Sequence, residues 1–226
     1  MPPPRKVIHK ARLWLVILTV CRSMASNQPP WALFPIRDPI EKMKSLLILL
    51  LALTLPTAPR EALVLEFGNK PGKISDWVLI SDNIMGGVSR SRVEYTDNSV
   101  QLSGVISLDN YGGFASLKTR FSKVDLSGYK GVRIRFRSTD QRFAFTLEDS
   151  QNWTRPNYKN EFRAQKDGTW ETATIYFKDF KETVIGEPTG RKMDPSVLKN
   201  VVRIGIITTQ KKEGAFSLEI ERMEFF

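Results

Sequence analysis

The chain has 226 residues, of which 41% are hydrophobic, 10% aromatic and 26% charged, with a formal net charge of +10. These proportions are those of an ordinary globular protein, so disorder and collagen-like repeats are excluded as the main theme. The one His (His9) and the one Cys (Cys21) both lie at the start of the chain. From residue 22 onward the sequence therefore excludes Cys/His zinc sites, His-ligated haem, Cys–His or Ser–His–Asp catalysis, and disulfides.

Residues 1–62 are predicted to be a leader, because they hold nine of the 34 Lys and Arg residues but only three of the 24 Asp and Glu residues. Residues 43–62 (Met43 to Ala62) are typical of a secretory signal, with a basic start, an apolar run and small residues after it. We expect export to the periplasm or the cell exterior; a mitochondrial transit segment is the alternative. Because Met43 begins a complete signal, we expect residues 1–42 to lie upstream of the true start.

Removal of the leader changes the charge of the protein. Residues 63–226 hold 25 Lys and Arg residues and 21 Asp and Glu residues, which gives about +4. Most of the basic character therefore belongs to the leader, and net charge gives no reason to expect a nucleic-acid partner. The apolar runs of the leader are shorter than a membrane-spanning helix requires, and we expect no span in the mature domain.

Residues 63–226 are predicted to form one all-β domain, an antiparallel β-sandwich or jelly roll. Apolar and polar residues alternate along it with a period of two, which indicates half-buried strands separated by polar turns. The segments with this pattern are, in chain order, 100–108, 114–121, 132–137, 143–147, 173–177, 202–206 and 216–220. We expect nine or ten strands in all and one short helical turn over residues 194–198, which Asp194 can cap.

The most distinctive stretch leads from Trp77 to a Gly-Gly turn. The glycines allow positive φ and close approach of the backbone to a neighbour, and the Asp that precedes them can accept backbone N–H groups. A similar Asp-Asn before a Gly-Gly pair follows at Asp109. One interpretation is a rigid turn anchored by Trp77 and Met85, and the other is a binding loop. The candidate residues of this signature are Trp77, Asp82, Met85, Gly86, Gly87, Ser89, Gly112, Gly113 and Phe114.

A second group of candidate partner contacts lies in the polar, Pro-containing connection that follows residue 149. Trp153, Arg155 and Tyr158 fall there, where an aromatic residue is harder to explain as core. Such a loop could stack on a sugar ring or dock a protein. The alternative is a loop that folds over the edge of the sandwich.

Three arginines form a row on one predicted strand. Arg133, Arg135 and Arg137 alternate with apolar residues and so share one face. The simpler interpretation is a solvated sheet face; the alternative is a surface that offers guanidinium groups to acidic partners or lipid headgroups. Trp170, at the start of a later strand, is expected in the core.

No catalytic arrangement can be placed on this sequence. Glu148 and Asp149 are neighbours on a strand and point to opposite faces, and the loop of residues 68–74 lacks the Ser or Thr of a phosphate-binding loop. A hydrolase that uses two carboxylates is chemically allowed, but no pair supports it. We therefore expect a non-enzyme without cofactor or metal.

The motifs together resemble the complex I intermediate-associated protein 30 family over nearly all of residues 63–226. They are the D-x-x-M-G-G-x-S of residues 82–89, the segments 104–107, 112–116, 125–132 and 214–220, and Trp170. The resemblance implies a galactose-binding-like sandwich and a non-catalytic assembly factor or chaperone of respiratory complex I (NADH:ubiquinone oxidoreductase). Its partners would be protein assembly intermediates of that membrane complex.

The alternative hypothesis is an exported carbohydrate-binding module with a glycan partner, which agrees with a jelly roll behind a signal. The two hypotheses predict different surfaces. Exposed apolar area would favour the assembly factor, and an aromatic platform with polar neighbours would favour the sugar binder.

Overall fold

The computed structural model describes residues 61–139, 142–165 and 168–226. The predicted leader, apart from Glu61 and Ala62, lies outside the described residues, and so does most of its signal-like segment. The described residues form thirteen strands, β1 (Leu63–Glu66), β2 (Val78–Ser81), β3 (Arg90–Tyr95), β4 (Val100–Ile106), β5 (Ala115–Lys118), β6 (Gly131–Ser138), β7 (Arg142–Glu148), β8 (Asn157–Arg163), β9 (Glu171–Tyr176), β10 (Lys181–Val184), β11 (Glu187–Lys192), β12 (Arg203–Thr208) and β13 (Gly214–Phe225).

The strands form two antiparallel sheets. The six-stranded sheet has the order β3-β4-β13-β6-β9, and β1 also pairs with β13. The seven-stranded sheet has the order β11-β10-β8-β7-β12-β5-β2. The twelve-residue β13 is long enough to pair with β4 through its first half and with β1 through its second half. The predicted all-β antiparallel sandwich is confirmed.

The core lies between the sheets and is rich in phenylalanine. Phe145 of the seven-stranded sheet meets Phe225 of the six-stranded sheet at a ring-centroid distance of 6.2 Å, and both rings are fully buried. Phe136 and Phe162 make a second edge-to-face contact between the sheets, at 5.0 Å. Such pairs add to the free energy that burial of their large apolar area contributes.

The strands with a strong alternation lie where the sequence predicts them. In β6 the residues Val132, Ile134 and Phe136 are at most 1% exposed, while the arginines between them face solvent. The predicted count of nine or ten strands is too low, because β1, β2, β3, β8, β10 and β11 lack a long apolar alternation. β11 (EPTGRK) is a polar edge strand, where Pro188 is tolerated because an edge N–H needs no ladder partner.

The predicted helical turn is present as a 3₁₀ turn over Pro195–Asn200. Asp194 caps it, since its carboxylate accepts a hydrogen bond from the Ser196 N–H at 2.8 Å. Three other short 3₁₀ turns cover Asp82–Met85, Asp109–Tyr111 and Phe177–Asp179. No helix in the described ranges is long and apolar enough to cross a membrane.

Candidate functional site

Two loops that carry the Gly-Gly motifs meet at one end of the sandwich. The first loop, residues 82–89, follows β2, and the second loop, residues 107–114, connects β4 to β5. They are adjacent because β2 pairs with β5, which places Ser81 opposite Ala115. The ladder continues one residue further, as the Asp82 N–H donates to the Phe114 carbonyl at 3.2 Å.

The Asp82 carboxylate holds the two loops together. It is 1% exposed, and it accepts hydrogen bonds from the Gly113 N–H at 2.6 Å and, more weakly, from the Phe114 N–H at 3.3 Å. Within its own loop it accepts from the Ser89 N–H at 3.2 Å and from the Ser89 hydroxyl. The sequence predicted a carboxylate that accepts backbone N–H groups; the structure shows that most of these donors come from distant parts of the loops.

These hydrogen bonds favour the ionised form of Asp82. Burial raises the pKa of the carboxyl group, but the hydrogen bonds from Ser89, Gly113 and Phe114 together outweigh it and hold the pKa below its usual value. Asp82 is therefore a structural anion at neutral pH. Its oxygens are already occupied by protein donors, which leaves it poorly placed to act as a proton donor or nucleophile.

The glycines make room for this carboxylate. A Cβ atom on Gly87 would lie 2.6 Å from Asp82 Cγ, and one on Gly112 would lie 2.7 Å from Asp82 Oδ2. Positive φ, which the sequence suggested for the first Gly-Gly pair, belongs to Gly86 (φ 89°) and not to Gly87. The two glycines of this pair are thus needed for different reasons. Gly86 allows the left-handed backbone conformation, and Gly87 allows the Asp82 side chain to pack close to the backbone.

Gly87→Ala is expected to destabilise the protein more than Gly86→Ala does. A side chain at position 86 meets open space, so the loss in Gly86→Ala comes only from the left-handed backbone conformation of that residue. We expect this loss to be about 1 kcal/mol. At position 87 the new methyl group must displace Asp82, which we expect to cost about 2 to 3 kcal/mol through the loss of buried hydrogen bonds. Urea unfolding of both variants measures the difference, and equal losses would contradict the close-approach explanation.

The two loops present a cluster of exposed apolar side chains, which we call the apolar rim. Its members and their exposed fractions are Ile84 (72%), Met85 (63%), Val88 (45%), Leu108 (41%) and Tyr111 (100%). The rigid-turn interpretation made Met85 an anchor, and that part of it is wrong, because Met85 faces solvent and Asp82 is the anchor. The other four were not predicted, although large apolar residues between turn-forming residues are a signal that could have revealed them.

The second loop holds its part of the rim in a strained conformation. Asn110 and Tyr111 both have positive φ, 56° and 61°, which is uncommon for residues with a side chain. The Asn110 side-chain amide donates to the Gly86 carbonyl at 3.3 Å and so ties the second loop to the first. The strain is maintained by these contacts, and the fully exposed Tyr111 ring gains no burial from it.

Trp77 does not belong to the rim. It precedes β2, at the opposite end of the strand from Asp82 and about 16 Å away along it. It is 7% exposed and packs edge-on against Phe67 at 5.0 Å. The structure therefore brings together all the predicted signature residues except Trp77, which is a core residue.

The three predicted partner contacts lie in the connection after β7 and at the start of β8, and they do not form one surface. Trp153 is 73% exposed and Arg155 is also exposed, so both are accessible. Tyr158 lies within β8 and is 6% exposed, and its burial raises the pKa of its hydroxyl group. Its prediction as a partner contact is wrong, because the strand begins at Asn157 and turns this ring inward.

The arginine row of β6 is neutralised within the protein. Arg133 lies 3.2 Å from Glu224, Arg137 lies 2.7 Å from Glu219, and Arg135 pairs with Glu221 in the same way. All three glutamates lie on the neighbouring β13. These ion pairs agree with the simpler interpretation of the arginine row as a solvated sheet face. They leave this face little excess positive charge with which to attract an acidic partner.

Trp170 was predicted in the core, and that prediction is wrong. It lies half-buried on the outer face of the six-stranded sheet. The guanidinium groups of Arg135 and Arg137 lie over its ring, at 5.6 and 5.0 Å from the centroid.

Two further carboxylates, Glu148 and Glu161, are held in ion pairs. Glu148 forms an ion pair with Lys118 at 2.6 Å, and Glu161 lies 3.6 Å from Arg142. Among the described residues no group of three or more His, Cys, Asp or Glu side chains is placed to hold a metal ion.

The fold is similar to that of known carbohydrate-binding modules. The family 11 carbohydrate-binding module of the cellulosomal cellulase Lic26A-Cel5E of Clostridium thermocellum shares 18% identity, with 73% of this chain and 94% of that chain covered, at a TM-score of 0.53. The family 11 module of Clostridium thermocellum in complex with a β-1,3-1,4-mixed-linked tetrasaccharide shares 17% identity, with 71% and 94% covered, at a TM-score of 0.50. At these identities the similarity shows the fold, a galactose-binding-like sandwich.

A search of curated proteins found no match. The family model described as "Complex I intermediate-associated protein 30 (CIA30)" matches residues 65–220, which include both Gly-Gly loops, the arginine strand and most of β13. The match covers more than half of the chain and agrees with the motifs that Asp82 joins. The chain therefore belongs to the complex I intermediate-associated protein 30 family.

Proposed function

We propose that this domain is a non-catalytic binding protein that holds assembly intermediates of respiratory complex I through the apolar rim. The observation that carries the proposal is the rim itself, five large apolar side chains exposed on two adjacent loops. Clustered exposure of this kind marks interaction sites in soluble proteins, whereas single exposed apolar residues need no explanation. Membership of the family supports protein subunits of complex I as the clients.

The construction of the site agrees with binding and not with catalysis. The buried Asp82 carboxylate accepts hydrogen bonds from both loops. These bonds fix the loops, so the rim side chains are preorganised. A preorganised surface loses less conformational entropy when a partner docks, which favours affinity. Tyr111 and Met85 are suited to such contacts, because Tyr combines a rigid ring with a polar tip and Met adapts to irregular surfaces.

The test is complementation of a strain that lacks the gene. We expect such a strain to accumulate less assembled complex I on a native gel, and the wild-type protein to restore it. The triple variant Ile84→Asp/Met85→Asp/Tyr111→Asp should fold normally, because these side chains are exposed, and should fail to restore assembly. Trp153→Ala, which removes an equally exposed aromatic side chain elsewhere, is the matched control and should restore it. Normal assembly in the deletion strain would refute the proposal.

A second candidate function is an exported carbohydrate-binding module, favoured by the signal-like segment of residues 43–62 and by the exposed Trp153. The similarity to the family 11 modules supports a fold compatible with it. We propose export as the location for this candidate, whereas the assembly factor needs access to complex I intermediates inside the cell or the mitochondrion. The mature N-terminus, read by mass spectrometry of the fractionated native protein, separates the two. For the second candidate, Trp153→Ala should weaken glycan binding by about 2 kcal/mol.

A further inference from the structure

The outer face of the seven-stranded sheet carries an excess of positive charge. On β5, β7, β8, β10 and β12 the residues that alternate with the core include six cationic side chains and two carboxylates. We call this surface the basic face; its charged members are Lys118, Arg142, Lys159, Arg163, Lys181, Arg203, Glu148 and Glu161. On the six-stranded sheet, by contrast, the arginine row is matched by glutamates.

The two carboxylates of the basic face pair with two of its six cations. Glu148 pairs with Lys118, and Glu161 lies beside Arg142. Of the other four, Arg203 donates to the Thr119 carbonyl at 3.0 Å and lies over the Phe121 ring. The side chains of Lys159, Arg163 and Lys181 have no carboxylate oxygen within 4 Å in the part of the chain that the structure describes. Lys159 and Lys181 lie directly opposite each other on β8 and β10, so like charges are neighbours. Such a pair is destabilising by itself and is relieved when an anion binds between the two.

A buried hydroxyl group without a partner lies in the same row. The strand register places Lys181, Lys159, Thr146, Gly205 and Lys118 side by side across the sheet. Thr146 is 5% exposed, and its Oγ1 atom makes no hydrogen bond. It faces away from the core, because Phe145 and Leu147 on either side of it are core residues. A buried polar atom without a partner is costly and rare. Thr146 Oγ1 lies beside the Lys118 stem over Gly205, so a ligand hydroxyl group would reach and satisfy it when that stem moves aside.

Small residues lie at and beside the centre of the row. Gly205 and Ala144 are buried although they point away from the core, and the Lys118 stem crosses Gly205 to reach Glu148. With strands about 4.8 Å apart, the row of five residues extends about 19 Å, which suits an extended chain better than a single small anion.

We propose that the basic face binds an acidic oligosaccharide, whose anionic groups contact Lys159 and Lys181 and one of whose hydroxyl groups contacts Thr146. Proteins that bind single-stranded nucleic acid stack bases on aromatic rings. The outer-facing residues of these five strands include no aromatic ring, and Arg203 covers one face of the neighbouring Phe121 at 4.3 Å. Stacking of bases or of neutral sugar rings is therefore not favoured here, and the acidic groups of the saccharide make the main contacts. The site is separate from the apolar rim, and the proposal does not depend on the proposed client.

Isothermal titration of the intact mature protein tests the proposal. The probes are a galacturonate hexasaccharide, a sulfated heparin hexasaccharide, neutral cellohexaose and a twelve-nucleotide single-stranded DNA. We expect at least one acidic saccharide to bind about tenfold or more tightly than cellohexaose, with affinity that falls as salt increases. Tighter binding of the uronate or of the sulfated probe identifies the acidic group. No binding of either acidic saccharide at millimolar concentration, or DNA bound as tightly as the better saccharide, would overturn the proposal.

Two sets of variants locate the site. Lys159→Ala/Lys181→Ala should lose about tenfold in affinity for the acidic saccharide, the size expected for lost charge-assisted hydrogen bonds. Arg133→Ala/Arg135→Ala, which removes two cations from the other sheet, is the matched control and should keep the affinity. Unchanged affinity in the lysine variant would refute the location.

Thr146→Val distinguishes a binding role from a structural one. Valine has nearly the same shape and suits a strand, so removal of an unpartnered hydroxyl group should leave the unfolding midpoint unchanged or higher. Affinity for the acidic saccharide should fall severalfold in the same variant. A lower unfolding midpoint with unchanged affinity would show that the hydroxyl group serves the fold and would overturn its part in the site.

Discussion

Asp82→Asn should lower the free energy of unfolding by about 3 kcal/mol, since it breaks a buried, charged hydrogen-bond cluster. The amide keeps the shape of the carboxylate, but its NH₂ group replaces one of the two oxygens. It therefore faces either the N–H donor of Gly113 or that of Ser89, and one donor loses its acceptor. Urea unfolding at neutral pH measures the loss. Asp109→Asn is the matched control, because Asp109 precedes the second Gly-Gly pair but is exposed; its effect should stay within about 0.5 kcal/mol. Equal stability of Asp82→Asn and the wild type would contradict the role of Asp82 as the anchor.

The same variant should change how stability depends on pH. The pKa of Asp82 is lowered in the folded protein from its usual value of 3.8. Its contribution to stability is therefore present above about pH 4 and is lost as the pH falls through the folded pKa. Between pH 4 and pH 2 the wild type should lose stability more steeply than Asp82→Asn does. Parallel pH profiles of the two proteins would show that Asp82 makes no net contribution to the acid sensitivity.

Gly104→Ala should also cost about 3 kcal/mol, because the strand β3 passes too close to β4 for a side chain at this position. A Cβ atom there would lie 2.0 Å from the Arg90 carbonyl oxygen and 2.8 Å from Ser91 Cα. Both neighbours are backbone atoms in a sheet, so they cannot move aside without breaking the ladder that pairs Ser91 with Gly104.

The adjacent residue offers a control for this substitution. Ser103→Ala changes the same strand, and the Ser103 hydroxyl is buried without a hydrogen bond, so its removal should be neutral or stabilising. Thermal unfolding of both variants measures the contrast. A small loss in Gly104→Ala, comparable to that in Ser103→Ala, would mean that the edge strand β3 shifts at little cost.

The alternation of apolar and polar residues was sufficient to predict the fold class and the central strands. In β6, β7, β12 and β13 the apolar residues that alternate toward the core are buried, whereas Ile207 and Ala215 on the outer faces are half-buried and exposed, respectively. The reason is that the orientation of a side chain on a strand depends only on its position along that strand. Edge strands such as β11 were not predicted, because they bury few residues and need no alternation of apolar and polar residues.

The signature residues were also visible in the sequence, but their roles were not. The sequence pointed to Asp82 and the glycines, but its rigid-turn interpretation gave Met85 and Trp77 as the anchors. Besides Ser89, the partners of Asp82 are Gly113 and Phe114, more than thirty residues away. Only the pairing of β2 with β5 brings these groups together, and no local pattern encodes which strands are neighbours.

The charges of the two outer faces show the same division between sequence and tertiary structure. From the sequence, the arginines of β6 formed the clearest basic surface, but β13 supplies a glutamate to each, from positions 82 to 91 residues later in the chain. On the other sheet, Lys159 and Lys181 are separated in the sequence and become neighbours only because β8 pairs with β10. A sequence determines which side chains point outward from a strand, while strand order and register determine which charges they meet. The net charge of a surface is a property of that pairing, and it therefore follows from the tertiary structure alone.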